Sequence, residues 1–254
     1  MRYRLKLLPI FLIFCFCSSV SAEQAVRFTT GEWPPYLSQE APQGGIAACI
    51  VTEAFAAAGI KTEFGWFPWK RAFQLAGREK WDGSMIWSRS PDREKDFLYS
   101  DAVIEVSDVF FHLKSYSFDW KSWDDLKGLK IGATTGYLYG EAFQQAQKSG
   151  QIKVFRVTTD LQNLKKLLKK RIDVFVVAQD VGYELLRRHF SSQQAQLFTS
   201  HPKPVRPSMA NLHLLLSKRN PDHKNRMTVF NKGLKEIKAN GKFDQCFIKA
   251  KAKE

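Results

Sequence analysis

The sequence predicts an α/β fold of two lobes. One observation is a β-α-β-α-β pattern that runs twice along the chain. A second is that 254 residues exceed what one such pass needs. A third is a strand and helix left over after the second pass, which predict that the tail returns to the first lobe. In the first pass, Val26-Arg27-Phe28-Thr29 alternates as a half-buried strand, placed at 26–30. "IAACIVTEAFAAA" reads as a helix at 46–58 stopped by Gly59, and "KTEFGWF" as a strand at 61–67. A helix at 69–78 and the strand "GSMIW" at 83–87 complete it. The second pass reads strand 129–133, helix 139–149, strand 152–157, helix 160–170, strand 172–177 and helix 180–190. "NLHLLLSK" at 211–218 is a strand, and Pro221-Asp222 opens a helix with Met227, Phe230, Leu234 and Ile237 on one face and Gly241 at its end. This order implies parallel sheets with helices on their faces. The expected lobes are 23–110 with 214–254, and 111–213, joined by two connections. Ligands in such folds sit between lobes at strand carboxyl ends, where "GEWPPY" (31–36) follows the first strand.

Residues 1–22 read as a cleaved signal peptide: Arg2, Arg4 and Lys6, an apolar run too short to span a membrane, then Val20-Ser21-Ala22. Bulky Phe14 and Phe16 beside Cys15 and Cys17 argue against a lipoprotein. Export places the mature chain in an oxidising compartment, expected to be the periplasm. Two cysteines survive, Cys49 and Cys246; they either pair or are two buried small residues. The net charge of +14 falls to about +11 without the leader. Its positives are scattered, and the densest cluster, "LKKLLKKR" at 164–171, reads as a solvated helix face. No nucleic-acid motif accompanies them, so no nucleic-acid partner is expected.

Five segments, "GEWPPY", the "GG" before the first helix, "WDGSMIWSRSPDREKDFLYSDAV", "SWDDLKGLKIGATTGYLYGEAF" and "RIDVFVVAQD", stand in an order that resembles the bacterial extracellular solute-binding proteins of family 3. These are periplasmic receptors of polar amino-acid ABC transporters. The resemblance implies two Rossmann-like lobes on a two-strand hinge (periplasmic binding protein type II), a monomer, no cofactor, a small polar ligand and an inner-membrane permease partner. It implies that Arg93 holds a ligand carboxylate, for which a guanidinium's paired donors are suited. The alternative for Arg93 is an ion pair with Glu94, Asp96 or Asp101. Ser88 matches a position that contacts the same carboxylate, and Trp33 an aromatic that stacks on the ligand. Trp33 otherwise serves as a core plug, a role that suits Tyr36 better. Trp69, Arg71 and Trp87 either face the cleft or pack in the core. From the second lobe, Thr135, Gly136 and Tyr137 follow a strand and precede a helix, where backbone N–H groups suit an anion. Tyr137 and Leu138 replace the family's small hydroxyl residues and imply a reshaped pocket. Ala178 stands where the family places an acid for the ligand amino group; Asp180 lies two residues on and either takes that role or caps its helix.

Gly-x-Ser-x-Gly and HExxH are both lacking, and His112, His189, His201, His213 and His223 form no plausible triad. The expectation is therefore a receptor for an amino acid or related zwitterion or anion serving an ABC importer, and not an enzyme. A stand-alone ligand sensor is the alternative, and the aromatics leave room for oligopeptide fragments or polyamines.

Overall fold

A computed structural model describes residues 25–251; the signal peptide expected at 1–22 lies outside them. The first lobe opens with β1 (Val26–Thr30), α1 (Ile46–Ala56), β2 (Thr62–Trp66), α2 (Trp69–Gly77), β3 (Gly83–Ser88), the short α3 (Pro91–Glu94) and β4 (Phe97–Val106). The second holds β5 (Asp108–Leu113), β6 (Lys130–Thr134), α4 (Glu141–Lys148), β7 (Lys153–Val157), α5 (Asp160–Leu168), β8 (Val174–Ala178), α6 (Gln179–His189), α7 (Ser192–Ala195) and β9 (Phe198–Ser200). β10 (Ala210–Ser217), α8 (His223–Ala239) and α9 (Lys242–Lys251) return to the first lobe. Each lobe has a five-stranded sheet, in the orders β2-β1-β3-β10-β4 and β7-β6-β8-β5-β9.

The sheets are mixed, where the repeated pattern implied parallel ones. β2-β1-β3 and β7-β6-β8 run parallel, as βαβ units require. β10 is antiparallel to β3 and β4, and β5 is antiparallel to β8 and β9. The antiparallel members are the strands that cross between lobes, and they enter without a crossover helix. β4 and β5 are separated by Ser107 alone, and the return runs between Ser200 and Ala210. Both crossings lie a few residues before the boundaries at 110/111 and 213/214 expected from sequence.

Central strands are buried throughout: every residue of β8 is apolar and buried, and β5 is buried along its whole length, Asp108 and His112 included. On α5, Leu164 and Leu167 face the core while Lys165 is exposed, as are Lys169 and Lys170 just past its end, the solvated face expected of the lysine cluster. Met227, Phe230, Leu234 and Ile237 of α8 are buried together, and Phe230 packs 5.1 Å from Phe55 of α1. Cys49 and Cys246 form a disulfide that fastens α9 to α1 across 197 residues. Among the described residues no helix is long and apolar enough to cross a membrane.

Asp82, at the mouth of β3, fastens three elements. Its carboxylate accepts the Arg27 N–H of β1 at 2.8 Å and pairs with Arg226 at 2.9 Å and His223 at 3.4 Å, both on α8. Burial opposes ionisation, but the bonds from His223 and Arg27 and the Arg226 charge outweigh it and lower the pKa to about 2. A depressed carboxylate adds stability above its unfolded pKa and loses it as pH falls through the folded one. Asp82→Asn is expected to destabilise the protein by about 1–2 kcal/mol at pH 7, after allowance for solvent screening. The difference should vanish between pH 4 and pH 2 in urea melts at stepped pH.

Candidate functional site

The cleft between the lobes begins where β1 ends. The chain turns through Gly31 and Glu32, passes the cis Pro34–Pro35 peptide and closes a small antiparallel bridge between Trp33 and Leu37. That loop sets the Trp33 and Tyr36 rings against each other at a 32° tilt, centroids 5.1 Å apart, with both side chains largely buried. Trp33 thus serves both as a plug in the core and as a wall of the cleft. Gly31 is needed for the next wall: a Cβ there would stand 2.7 Å from the Trp69 ring. Trp69 meets Trp87 edge-on at 5.3 Å, and the Trp87 indole N–H is anchored on Ser84 Oγ at 2.8 Å.

Arg93 lies against this aromatic wall. Ser90 caps the turn of α3, its hydroxyl accepting the Arg93 N–H. The guanidinium stacks 4.8 Å from the Trp87 ring and 5.8 Å from Phe73. One arm donates to Ser88 O at 2.9 Å, and the other reaches across the cleft to Gly136 O at 3.0 Å. Its donors therefore meet carbonyls and no carboxylate. Of the ion-pair partners open to it from sequence, Glu94 is engaged by Arg89 instead. Burial lowers the Arg93 pKa, yet guanidinium is basic enough to keep its charge.

The second lobe contributes the loop from Gly136 to Gly140. Gly136, at φ +84°, turns its carbonyl to Arg93, and Tyr137 and Tyr139 follow. Tyr139 OH accepts the Thr134 N–H at 2.8 Å. Two acids lie beneath the loop. Asp108, at the first crossing, pairs with Arg206 of the second crossing at 2.5 Å, and Arg206 also donates to Leu138 O at 2.8 Å. Burial raises the Asp108 pKa against the pull of Arg206. Asp160, the first residue of α5, accepts from the Thr134 hydroxyl. Burial raises its pKa to about 6, although bonds from Thr134 and Tyr137 oppose the rise.

Trp33, Trp69 and Tyr137 divide the cleft. Behind them is an inner chamber of about 60 Å³, bounded by Trp87, Arg93, Asp108 and Arg206. In front is an outer groove of about 840 Å³, bounded by Glu32, Glu40, Asp160 and Arg188.

Seven residues singled out from sequence line the chamber together: Trp33, Trp69, Trp87, Ser88, Arg93, Gly136 and Tyr137. Three others lie elsewhere. Arg71 is exposed and stacks on Phe67 at 5.4 Å, because its place on α2 turns it off the cleft face. Thr135 is exposed, and its N–H is used by Val157 O of β7. Asp180 lines neither cavity and makes no cap bond; it accepts the Tyr36 hydroxyl at 2.7 Å, joining the lobes. Asp108, Asp160 and Arg206 were not anticipated. Asp108 left a signal, a single acid in the otherwise apolar run "VSDVFF". Arg206, in a proline-rich loop, left none.

A family model for bacterial extracellular solute-binding proteins, family 3, matches residues 26–251. The chain belongs to this family. No curated protein matches it significantly. Its solved structural neighbours share the family 3 fold at low identity. An ancestral arginine-binding protein bound to arginine is 20% identical with a TM-score of 0.73, covering 90% of this chain and 98% of its own. An amino-acid ABC transporter substrate-binding protein from Streptococcus pneumoniae, bound to L-arginine, is 15% identical at TM-score 0.71, covering 88% and 94%. A histidine kinase sensor domain with similarity to periplasmic binding proteins is 16% identical at TM-score 0.73, covering 91% and 97%.

Among the described residues, two direct hydrogen bonds join side chains of the two lobes across the cleft, Tyr36 to Asp180 and Arg188 to Ser38 Oγ at 3.2 Å. Tyr36→Phe removes the shorter one and leaves the ring packing. A bond to a charged acceptor contributes about 1.5 kcal/mol or more. Affinity for a ligand held by both lobes is expected to fall about tenfold, with little change in thermal midpoint. Calorimetry and small-angle scattering of the variant would check both.

Proposed function

We propose that this protein is a periplasmic receptor that closes on a small carboxylate-bearing ligand, an amino acid or related zwitterion, and delivers it to an ABC importer. The observation that carries the reading is Arg93: a charged guanidinium inside the cleft, backed by Trp87, with donors resting on two carbonyls. A carboxylate offers the same donors a charged, bidentate partner and displaces the Gly136 carbonyl. Contacts from both lobes then favour the closed arrangement.

The reading is of a receptor and not an enzyme. Asp108 and Asp160 are committed to Arg206 and Thr134 instead of activating a nucleophile. A stand-alone sensor is the second reading, favoured by the likeness to a kinase sensor domain. Calorimetry of the mature protein against amino acids, small carboxylates and polyamines tests the proposal. Saturable 1:1 binding of a carboxylate is expected; no heat and no thermal shift from any member overturns it. Permease and ATPase genes beside this one favour import, and their absence favours sensing.

A further inference from the structure

The net charge of +14 is unevenly spread, and the second lobe carries a basic face that no acid offsets. From Lys148 to Arg171 the chain has eight bases and one acid, Asp160, which is buried. Two periodicities gather the exposed bases of this stretch. On β7, an edge strand of its sheet, Lys153, Phe155 and Val157 share a face by strand alternation. On α5 and its last turn, Gln162, Lys165, Lys166 and Lys169 share a face by helical spacing. Between the two runs lies a trough of about 410 Å³, lined by Val157, Gln162, Lys165, Lys166, Lys169 and Arg171. Four of these are bases and none is an acid. The Lys153 and Lys166 ammonium groups lie 5.4 and 5.8 Å from the Phe155 ring.

Among the described residues, none of Lys153, Lys165, Lys166, Lys169 and Arg171 enters an ion pair. The basic face of the first lobe differs. On α8 and α9, Asp222, Glu236 and Asp244 stand among the lysines, Arg226 pairs with Asp82, and Lys242 pairs with Glu53. A lysine on an edge strand guards it against pairing with another strand, which accounts for Lys153 but not for the four bases contributed by α5 and its end.

We propose that this face of the second lobe docks on an anionic lipid bilayer. A bilayer asks for clustered bases with shallow apolar contact, and Phe155 and Val157 lie half-buried among the lysines. A protein partner fits less well. Protein interfaces have an apolar centre, and the large exposed hydrophobics Tyr183, Leu197, Met209 and Ile248 all stand on other elements. A nucleic acid fits less well because the Phe155 ring, engaged by two lysines, is poorly placed to stack on a base. Thr159 and Asp160, at the start of α5, border the outer groove of the cleft, and Lys169 lies about 14 Å further along the helix. The docking face therefore runs down the side of the lobe and leaves the cleft open. The inference goes beyond the receptor reading and holds whatever the cleft binds. Confinement to a bilayer raises the concentration of such a receptor beside a membrane partner without an anchor.

Each base near an anionic bilayer contributes about fivefold to partitioning, and the attraction fades as salt shortens the screening length. The test is flotation of the mature, disulfide-bonded protein with vesicles of phosphatidylcholine alone or with about 30% phosphatidylglycerol. Binding is expected only to the anionic vesicles at about 0.05 M salt, and is expected to be lost at about 0.5 M. Lys165→Gln/Lys169→Gln/Arg171→Gln should weaken it by about a hundredfold. The thermal midpoint should hold, because all three side chains are exposed. Lys224→Gln/Lys232→Gln/Lys235→Gln on α8 removes the same charge and should weaken binding by less than about fivefold. Lysine acetylation of the unmodified protein, read by mass spectrometry, needs no variant. Anionic vesicles should protect Lys165, Lys166 and Lys169 and leave Lys232 and Lys235 reactive. No vesicle binding, equal binding to neutral vesicles, equal loss in the two triple variants, protection on α8 instead, or binding only of inorganic phosphate, a soluble oligonucleotide or an acidic peptide overturns the proposal. Each of these outcomes leaves the receptor reading standing, since calorimetry of the cleft tests that separately.

Discussion

Arg93→Ala is expected to abolish measurable binding of a carboxylate ligand while the protein stays folded. Truncating one partner of a buried, hydrogen-bonded charge pair costs about 2–5 kcal/mol, or 30-fold and upward in affinity. The effect on folding should be small, because the side chain bonds only to Ser88 O and Gly136 O and sits on a wall that Trp69, Trp87 and Phe73 complete without it. Arg93→Lys should recover little. An ammonium keeps the charge but lacks the planar fork and stacks less well on Trp87. Calorimetry beside a thermal melt separates the two effects. Unchanged affinity in a folded Arg93→Ala protein removes the basis of the receptor reading.

The largest stability loss is expected at Arg206. Arg206→Ala leaves the Asp108 carboxylate, 8% exposed at its side chain, without its counter-charge, and frees the Leu138 carbonyl. Breaking such a buried pair from one side costs about 3–5 kcal/mol. The pH dependence follows from the sign. Burial already raises the Asp108 pKa, and without Arg206 nothing opposes that rise. A group raised in the folded state adds stability at low pH and loses it as pH rises. The penalty should therefore be large at pH 7 and shrink toward pH 4. Urea melts of Arg206→Ala and of Asp108→Leu/Arg206→Leu check this, since the double variant removes both charges and should regain most of the loss. Because the pair ties the two crossings together, the single variant should also loosen the hinge.

Much of the first lobe's wall was legible in the sequence. "GEWPPY" could be placed at a strand's carboxyl end because period-two alternation in 26–30 is a local signal and the prolines end it. Arg93 could be singled out only through the family resemblance, which places an arginine after strand β3; the residues around it, Glu94, Asp96 and Asp101, suited a surface ion pair equally. β4 was not anticipated. Its burial does not alternate, and its pairing with β10 shifts register twice, so "FLYSDAVIEV" lacks the strand pattern. α9 escaped because Gly241 ends α8, as expected, and a new helix begins directly after it. What holds α9 is a disulfide to α1, a contact that 197 intervening residues hide.

The sequence by itself determined the element order and the two-lobe plan, while the aromatics and the guanidinium of the cleft entered through the family resemblance. The first two depend on short-range periodicity, capping and turn chemistry, which a linear reading contains. Tertiary structure alone decided the antiparallel crossing strands, the pairing of Asp108 with Arg206, the diversion of Asp180 to Tyr36 and the seating of Asp160 beside the outer groove. Each brings together groups distant along the chain. An acid's role depends on which partner and how much water it meets there, and neither is encoded within a few residues of it.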